Sequence, residues 1–284
     1  MRHAILGAGG VGLALGAALT RAGHPVTLVM RESSRAAYSG TITVHSRLKG
    51  GSAVPVPAVD RLDEDVDALW LTVKAPALES ALRRIGPAVA TASVIPLLNG
   101  IDHLDLLRAR FGPRVLAGAI RIEAERGAPG EVTWNSLFGS VELAGANEAL
   151  RADLYSAGID CELAADPAKV LWHKLILLLP LALATTVAEG PLGVVRRDRE
   201  LTSLMVGAAR EVCAVAAAHG VPVDAAASVR ALESLPGRTN SSLRRDVAAG
   251  VRPTELDTIA GPVLRHGTAP SVAELVRLAR AAGA

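Results

Sequence analysis

A glycine-rich turn close to the first residue constrains the fold more than any other feature of the sequence. Gly7-Ala8-Gly9-Gly10-Val11-Gly12 lies between the apolar run Ala4 to Leu6 and a helical pattern that ends near Arg21. In a strand, turn and helix of this kind, Gly7 makes the tight turn, Gly9 lets the backbone approach a pyrophosphate, and Gly12 permits close packing of helix on strand. The helix N-terminus offers free N–H groups to the anion. These six residues predict a dinucleotide site; an incidental glycine turn is the alternative.

Short apolar runs alternate with helical segments through the first half of the chain. This alternation predicts an α/β fold with a right-handed parallel sheet. Two further strand-like runs, joined by Asn135-Ser136, indicate a terminal hairpin or an antiparallel extension. The predicted sheet strands are Val26–Met30, Ala68–Val73, Ser93–Leu98 and Val115–Gly118, and the two further runs are Glu131–Trp134 and Ser140–Leu143.

From Asp166-Pro167 onward the strand signals stop and an Ala-rich helical periodicity takes over. The sequence therefore predicts an N-terminal Rossmann-type domain over residues 1–165 and an all-helical C-terminal domain over residues 166–284. The most apolar stretch, Leu175 to Ala188, contains Pro180 and is shorter than the roughly 20 residues that a membrane span needs. It predicts a buried helix.

Charge and cysteine content exclude several classes of protein. Lys and Arg number 30 against 28 Asp and Glu, a net charge of +2, which is too balanced for a nucleic-acid surface over the whole molecule. Cys161 and Cys213 have the spacing of neither a disulfide framework nor a metal cluster. The N-terminus lacks the pattern of a secretion signal.

We expect a cytoplasmic protein with a small-molecule substrate, no metal site, and no nucleic-acid or membrane partner. A homodimer stays open, because the apolar helices could pack within one chain or across an interface.

The end of the second predicted strand indicates which dinucleotide is bound. An acidic residue there, about 20 residues past the glycines, would bind the ribose of NAD. This strand instead ends in Met30-Arg31, and a guanidinium matches the 2′-phosphate of NADP in charge and geometry. Arg35 could add a second cation one turn later, whereas Glu32 would relax the preference if it faced the ribose. The sequence thus predicts NADP as the cofactor.

Two polar residues follow later apolar strands, where ligands of an open α/β sheet bind. Lys74 follows Val73, and Asn99-Gly100 follows Leu98. Taken separately, the lysine is typical of a surface cation and the Asn-Gly pair is typical of a turn. Together, their positions at strand ends predict contacts with the cofactor or the substrate.

Two ionisable residues in the second half are candidates for chemistry. Lys174 interrupts an otherwise apolar helix, which makes it a candidate general acid; a lysine snorkelling from the helix surface is the alternative. Glu255 stands at the start of another helix, behind Pro253-Thr254. Spacing alone gives it the ordinary role of complementing the helix dipole.

Taken in order, the motifs resemble the ketopantoate reductase (2-dehydropantoate 2-reductase) family over nearly the whole chain. The glycine turn is the least specific of them, and the tryptophan-X-lysine-leucine and threonine-glutamate-X-aspartate helices are far more specific. The motifs are Gly7–Gly12, Val73-Lys74-Ala75, Asn99-Gly100, Trp172-His173-Lys174-Leu175, Ser241-Ser242 and Pro253-Thr254-Glu255-Leu256-Asp257. The resemblance implies a Rossmann domain, a helical domain, NADPH as the hydride donor and a role in pantothenate biosynthesis.

The resemblance also implies a role for each matching residue. Lys174 would be the general acid that protonates the ketone oxygen, and Glu255 would bind the substrate hydroxyl. Ser242 would hold the substrate carboxylate. Lys74 and Asn99 would lie on the nicotinamide and substrate side of the site.

Three positions depart from the family pattern. Leu178 and Ala182 stand four and eight residues after the lysine, where family members usually have asparagine, and Ala260 replaces an asparagine before Gly261. Each missing hydrogen bond to a charged or polar substrate is worth roughly 1.5 to 3 kcal/mol. We therefore expect a 2-oxo acid substrate that is ketopantoate or a close, less polar analogue; Asn240 or Thr185 could instead replace the missing amides.

A second class of function stays open at this point. A non-catalytic NADP-binding sensor or scaffold could keep the glycine turn and lose the substrate. Such a module has no need for Lys174 and Glu255, so their presence favours an NADP-dependent oxidoreductase.

Overall fold

The computed structural model describes residues 1–46, 50–87, 89, 93–136, 139–146 and 148–284. The chain divides into two compact units. Unit 1 comprises Met1–Leu98 and His103–Val170, and unit 2 comprises Asn99–Asp102 and Leu171–Ala284. The division between domains at residue 165 stays a prediction.

Unit 1 contains the strands and the first helices of the chain. Its strands are β1 (His3–Leu6), β2 (Val26–Val29), β3 (Thr41–His45), β4 (Ser52–Pro55), β5 (Ala58–Val59), β6 (Ala68–Leu71), β7 (Ser93–Pro96), β8 (Ala117–Arg121), β9 (Ala124–Arg126), β10 (Glu131–Trp134), β11 (Gly139–Ala144) and β12 (Ile159–Ala164). Its helices are α1 (Gly10–Arg21), α2 (Glu32–Ala36), α3 (Leu78–Leu82), α4 (His103–Phe111) and α5 (Glu148–Ser156).

A parallel sheet of order β5-β2-β1-β6-β7 forms the base of unit 1. Every residue of β1 and β6 is buried, as expected of strands covered on both faces. Helix α1 packs on this sheet and also contacts β3, β9 and β10, so that it lies between two sheets. The predicted fold class, a Rossmann-type parallel sheet followed by helices, is confirmed.

The predicted hairpin is wrong, whereas its alternative, an antiparallel extension, agrees with the antiparallel pairs β10–β9 and β11–β8. The runs 131–134 and 140–143 do not form a hairpin, because β10 pairs with β3 and β9 while β11 pairs with β8 and β12 in another sheet. The run that begins at Val115 joins the parallel sheet through one bridge to Val94 and then continues as β8 beside β11. Apolar patterning predicted that these segments are strands, but it carries no information about their partners.

Unit 2 is helical: residues 171–284, all of which the structure describes, contain no strand. Helix α6 (Pro167–Val187) enters unit 2 at Leu171, and α7 (Leu192–Val195), α8 (Arg199–Ala218), α9 (Ala225–Ser234), α10 (Ser242–Ala248), α11 (Leu256–His266) and α12 (Pro270–Ala281) follow. Helices α6 and α8 are long and apolar enough to cross a membrane, but 67% and 44% of their most apolar windows are buried inside the protein. The predicted buried helix therefore exists, as part of α6.

A histidine at the start of β1 lies in a buried polar cluster of unit 1. Trp70 Nε1–H donates to His3 Nδ1 at 3.1 Å, so the proton of the neutral ring is on Nε2, which donates to Asp153 Oδ2 at 3.1 Å. The Met1 amino group and His24 also face Asp153. Burial is the main cause that lowers the pKa of His3 to about 4, against the opposing attraction of Asp153. Because both ring nitrogens are hydrogen-bonded, the imidazole offers no lone pair to a metal.

This cluster predicts a loss of stability in acid. The folded-state pKa of His3 lies below the ordinary value of 6.5, so stability that is complete above pH 6.5 is lost as the pH falls towards 4. The shift corresponds to about 3 kcal/mol. The change His3→Gln keeps one acceptor and one donor but does not titrate, so it should reduce the loss measured by urea unfolding between about pH 7.5 and about pH 4.5. The exposed His45→Gln is the control, and equal losses in wild type and His3→Gln would contradict the assignment.

Candidate active site

The glycine turn of unit 1 has the geometry that an anion cradle requires. Gly7 has φ +112°, and a Cβ there would lie 2.7 Å from Val73 Cγ1, so only glycine fits. A Cβ on Gly12 would collide with the Gly7 carbonyl oxygen and lie 2.6 Å from Thr72 Oγ1. At Gly9, in contrast, the nearest atom to an added Cβ would be 3.9 Å away. Protein packing therefore explains two of these glycines, while the open space at Gly9 leaves room for a ligand.

The start of α1 is also suited to a phosphate. Gly9 is the N-cap residue, no side chain caps the helix, and its first turn contains no acidic residue. The N–H groups of the first turn have no partner within the helix. The described residues of this turn thus fit the pyrophosphate of a dinucleotide in both space and charge.

The carboxyl ends of three neighbouring strands bring the other predicted cofactor residues to this turn. Leu6 of β1 pairs with Val29 of β2 on one side and with Leu71 of β6 on the other. Arg31 and Lys74 follow those two strands within three residues and are both exposed. They therefore flank the glycine turn from opposite sides, at the edge of the sheet where ligands bind.

Side chains near this edge refine the sequence prediction. Arg35 Nε donates to the carbonyl oxygen of Ala58 at 3.3 Å, which draws the second predicted cation towards β5. Thr72, which sequence reasoning missed, donates from Oγ1 to the carbonyl oxygen of Gly7 at 2.7 Å and fixes the turn to β6. A hydroxyl at the end of an otherwise apolar strand is the signal that could have identified it.

In unit 2, the long helix α6 carries Lys174. Trp172, Leu175 and Ile176 around it are buried, His173 is exposed, and Lys174 itself is half-buried. Leu178 is also half-buried and lies four residues later, on the same face as Lys174. The lysine is therefore held on a helix whose other faces form the core.

Glu255 and Asn99 meet, although 156 positions separate them. Asn99 Nδ2 donates to Glu255 Oε2 at 3.0 Å. Glu255 is only 5% exposed and occupies the N-cap position of α11, but its side chain makes no capping hydrogen bond there. The carboxylate is thus turned towards the Asn99 amide instead of towards its own helix.

Ser242 begins α10, and the neighbouring serine holds that helix end in place. Ser241 Oγ accepts from Arg244 N at 3.1 Å and lies 2.8 Å from Thr185 Oγ1 on α6. Asn240 Oδ1 accepts from Ser241 N at 2.9 Å and from Arg244 Nε at 2.7 Å. Sequence reasoning gave Ser241 no such role, and the cap position before a polar helix start is the signal for it.

Comparison with known proteins decides the family. The family model for ketopantoate reductase PanE/ApbA matches residues 3–148, and the model for its C-terminal domain matches residues 167–281. The chain belongs to the ketopantoate reductase family. Membership makes it an NADP-dependent oxidoreductase that reduces 2-oxo acids.

Relatives and solved structures agree with this family. The chain is 29% identical to a 2-dehydropantoate 2-reductase of Halobacterium salinarum over 100% of both chains. It is 28% identical to the uncharacterized oxidoreductase YkpB of Bacillus subtilis, over 96% of this chain and 94% of the relative. The structure of a PanE/ApbA family ketopantoate reductase from Ralstonia eutropha JMP134 matches with a TM-score of 0.89 and 29% identity, over 99% and 98% of the two chains. A D-mandelate dehydrogenase with NADH and anilino(oxo)acetate has the same TM-score at 22% identity and shares the fold.

Proposed function

We propose that this ketopantoate reductase family member reduces a 2-oxo acid less polar than ketopantoate, with NADPH as donor and Lys174 as general acid. The observation that supports it best is the hydrogen bond from Asn99 to the buried Glu255. Because the amide satisfies this carboxylate oxygen, the site does not depend on a substrate hydroxyl to do so.

NADPH supplies hydride to the keto carbon when it is bound. The chain's own task is to stabilise and protonate the oxygen that becomes negative. The Lys174 ammonium on α6 does both, first by donating a hydrogen bond to that oxygen and then by giving it the proton. In this proposal Ser242 holds the substrate carboxylate, and Glu255 and Asn99 together orient the reacting group.

On α6, Leu178 supports the less polar substrate. Leu178 is half-buried and follows Lys174 by one turn, so a substrate at the ammonium contacts its side chain. Ala182 and Ala260 are each 1% exposed and pack inside the unit. Thr185 cannot readily replace the missing amides, because it is buried and its hydroxyl donates to the Leu181 carbonyl oxygen at 2.7 Å.

The general acid is tested by Lys174→Ala. We expect kcat to fall by at least about 10²-fold while the affinity for NADPH is unchanged, because the lysine acts on the substrate oxygen. Lys169→Ala, an exposed lysine on the same helix, is the matched control and should retain wild-type kcat. Near wild-type kcat in the Lys174 variant would refute the role.

The cofactor preference is tested by Arg31→Ala. In this proposal the guanidinium binds the 2′-phosphate, so its loss should raise KM for NADPH by about 10-fold or more and leave KM for NADH nearly unchanged. Arg21→Ala, at the opposite end of α1, controls for the loss of one surface charge. Equal effects of Arg31→Ala on both cofactors would show that the arginine does not read the phosphate.

The substrate class is tested by Leu178→Asn. Adding an amide beside Lys174 should raise kcat/KM for ketopantoate relative to 2-oxoisovalerate, which lacks the hydroxyl, by about 10-fold. Leu204→Asn, a half-buried leucine on α8, should leave the ratio unchanged. If Leu178→Asn leaves it unchanged as well, this side chain does not contact the part of the substrate that differs.

A further inference from the structure

The segment of residues 99–102, here called loop 99–102, belongs to unit 2 although β7 and α4 on either side belong to unit 1. It contacts α11 and its N-cap residue at three points. Asn99 donates to Glu255, Gly100 lies against Thr258, and Asp102 pairs with Arg265. The loop therefore lies along one side of α11 from the N-cap Glu255 onward, and the Arg265 side chain reaches back from the last turn to meet it.

Gly100 permits the closest of these contacts. Its φ is +79°, and an added Cβ would lie 2.6 Å from the carbonyl oxygen of Thr258 and 2.8 Å from its Cγ2. The Thr258 carbonyl oxygen belongs to the backbone of α11, so it cannot move away unless the helix bends. Any side chain at position 100 must therefore lift the loop from the helix.

Arg265 fastens the far end of the loop. Its guanidinium pairs with Asp102, and both side chains are 53% exposed. An added Cβ on Gly261 would lie 2.6 Å from Arg265 Nη1, so the arginine lies back along α11 in the space that this glycine leaves. The ion pair thus holds the loop in register along the helix.

We propose that loop 99–102 positions the Glu255 carboxylate, with Gly100, Thr258, Asp102 and Arg265 as positioning residues that act through Asn99. Glu255 makes no capping bond to α11, so the Asn99 amide is the contact that this loop contributes to its orientation. This inference rests on the proposed function of Glu255 and extends it to residues outside the predicted site.

The main test compares two glycines with equal backbone angles. Gly100 and Gly220 both have φ +79°, but nothing lies within 4 Å of a Cβ added at Gly220. Gly100→Ala should lower kcat/KM for the 2-oxo acid by about 10²-fold, the cost of a misplaced group, and leave KM for NADPH unchanged. Gly220→Ala places an alanine at the same positive φ without a steric clash and should retain kcat/KM. Equal kcat/KM in the two variants would overturn the proposal.

The ion pair gives a second test that does not strain the backbone. Arg265→Gln should lower kcat/KM about 2- to 5-fold, as expected for an exposed pair, and Arg265→Lys should restore most of it. Arg280→Gln breaks the exposed pair between α12 and Asp257 of α11 and should have no effect. An effect of Arg280→Gln as large as that of Arg265→Gln would mean that general damage to α11 is the cause.

Hydrogen exchange separates this inference from the proposed function. Amides of residues 256–260 should exchange faster in Gly100→Ala than in Gly220→Ala, whether or not a substrate is turned over. The wild-type protein could reduce no 2-oxo acid while this difference in exchange is present. In that case the function proposed for Glu255 is wrong, but the contact of loop 99–102 with α11 is supported. No difference in exchange would overturn the positioning role.

Discussion

Glu255 is a carboxylate that is only 5% exposed, and a buried carboxylate needs hydrogen-bond donors. The donor amide, Asn99, comes from a segment that follows a strand of the other unit. The chain must therefore cross into unit 2 after Leu98 and return at His103. Gly100 lies within this crossing, where the backbone approaches Thr258 of α11 too closely for a side chain.

The cradle at the glycine turn follows a similar logic. Gly7 and Gly12 are glycines because protein atoms already fill the space of a side chain, and Gly9 is one although protein atoms do not. That difference separates the glycines that shape the turn from the one beside open space, where we expect the ligand. It also shows why the turn could be predicted from sequence: its geometry is set by residues within one strand, one turn and one helix.

Structural features that depend on residues far apart in the chain were harder to predict from the sequence. The fold class followed from apolar runs such as β1 and β6, whose burial on both faces is visible in the sequence. The pairing of β10 with β3, and of β11 with β8, could not be predicted from the sequence. The pattern of a strand shows which face is buried but not which strand is its neighbour. Strand β12 was missed, although Ile159, Cys161 and Leu163 alternate with polar residues.

The candidate site also has residues that the sequence could identify and contacts that it could not. Position in the sequence identified Lys174 and Asn99 as candidates, whereas only the resemblance gave Glu255 a chemical role. Only the folded chain shows that Asn99 and Glu255 share a hydrogen bond, and that Thr185 and Asn240 serve the start of α10. The sequence therefore could not show whether Thr185 or Asn240 replaces the missing amides, because the answer depends on the hydrogen bonds that these side chains already make.

The proposed preference is for 2-oxo acids with apolar substituents, reduced with NADPH as donor. The most direct measurement is kcat/KM of the wild-type protein across a series that keeps the keto acid and varies the substituent from hydroxylated, as in ketopantoate, through branched alkyl to aryl. We expect kcat/KM to rise by about 10-fold or more when the hydroxyl is removed, the value of one added or lost contact in a fitted apolar pocket. A clear preference for ketopantoate over every apolar member of the series would contradict it.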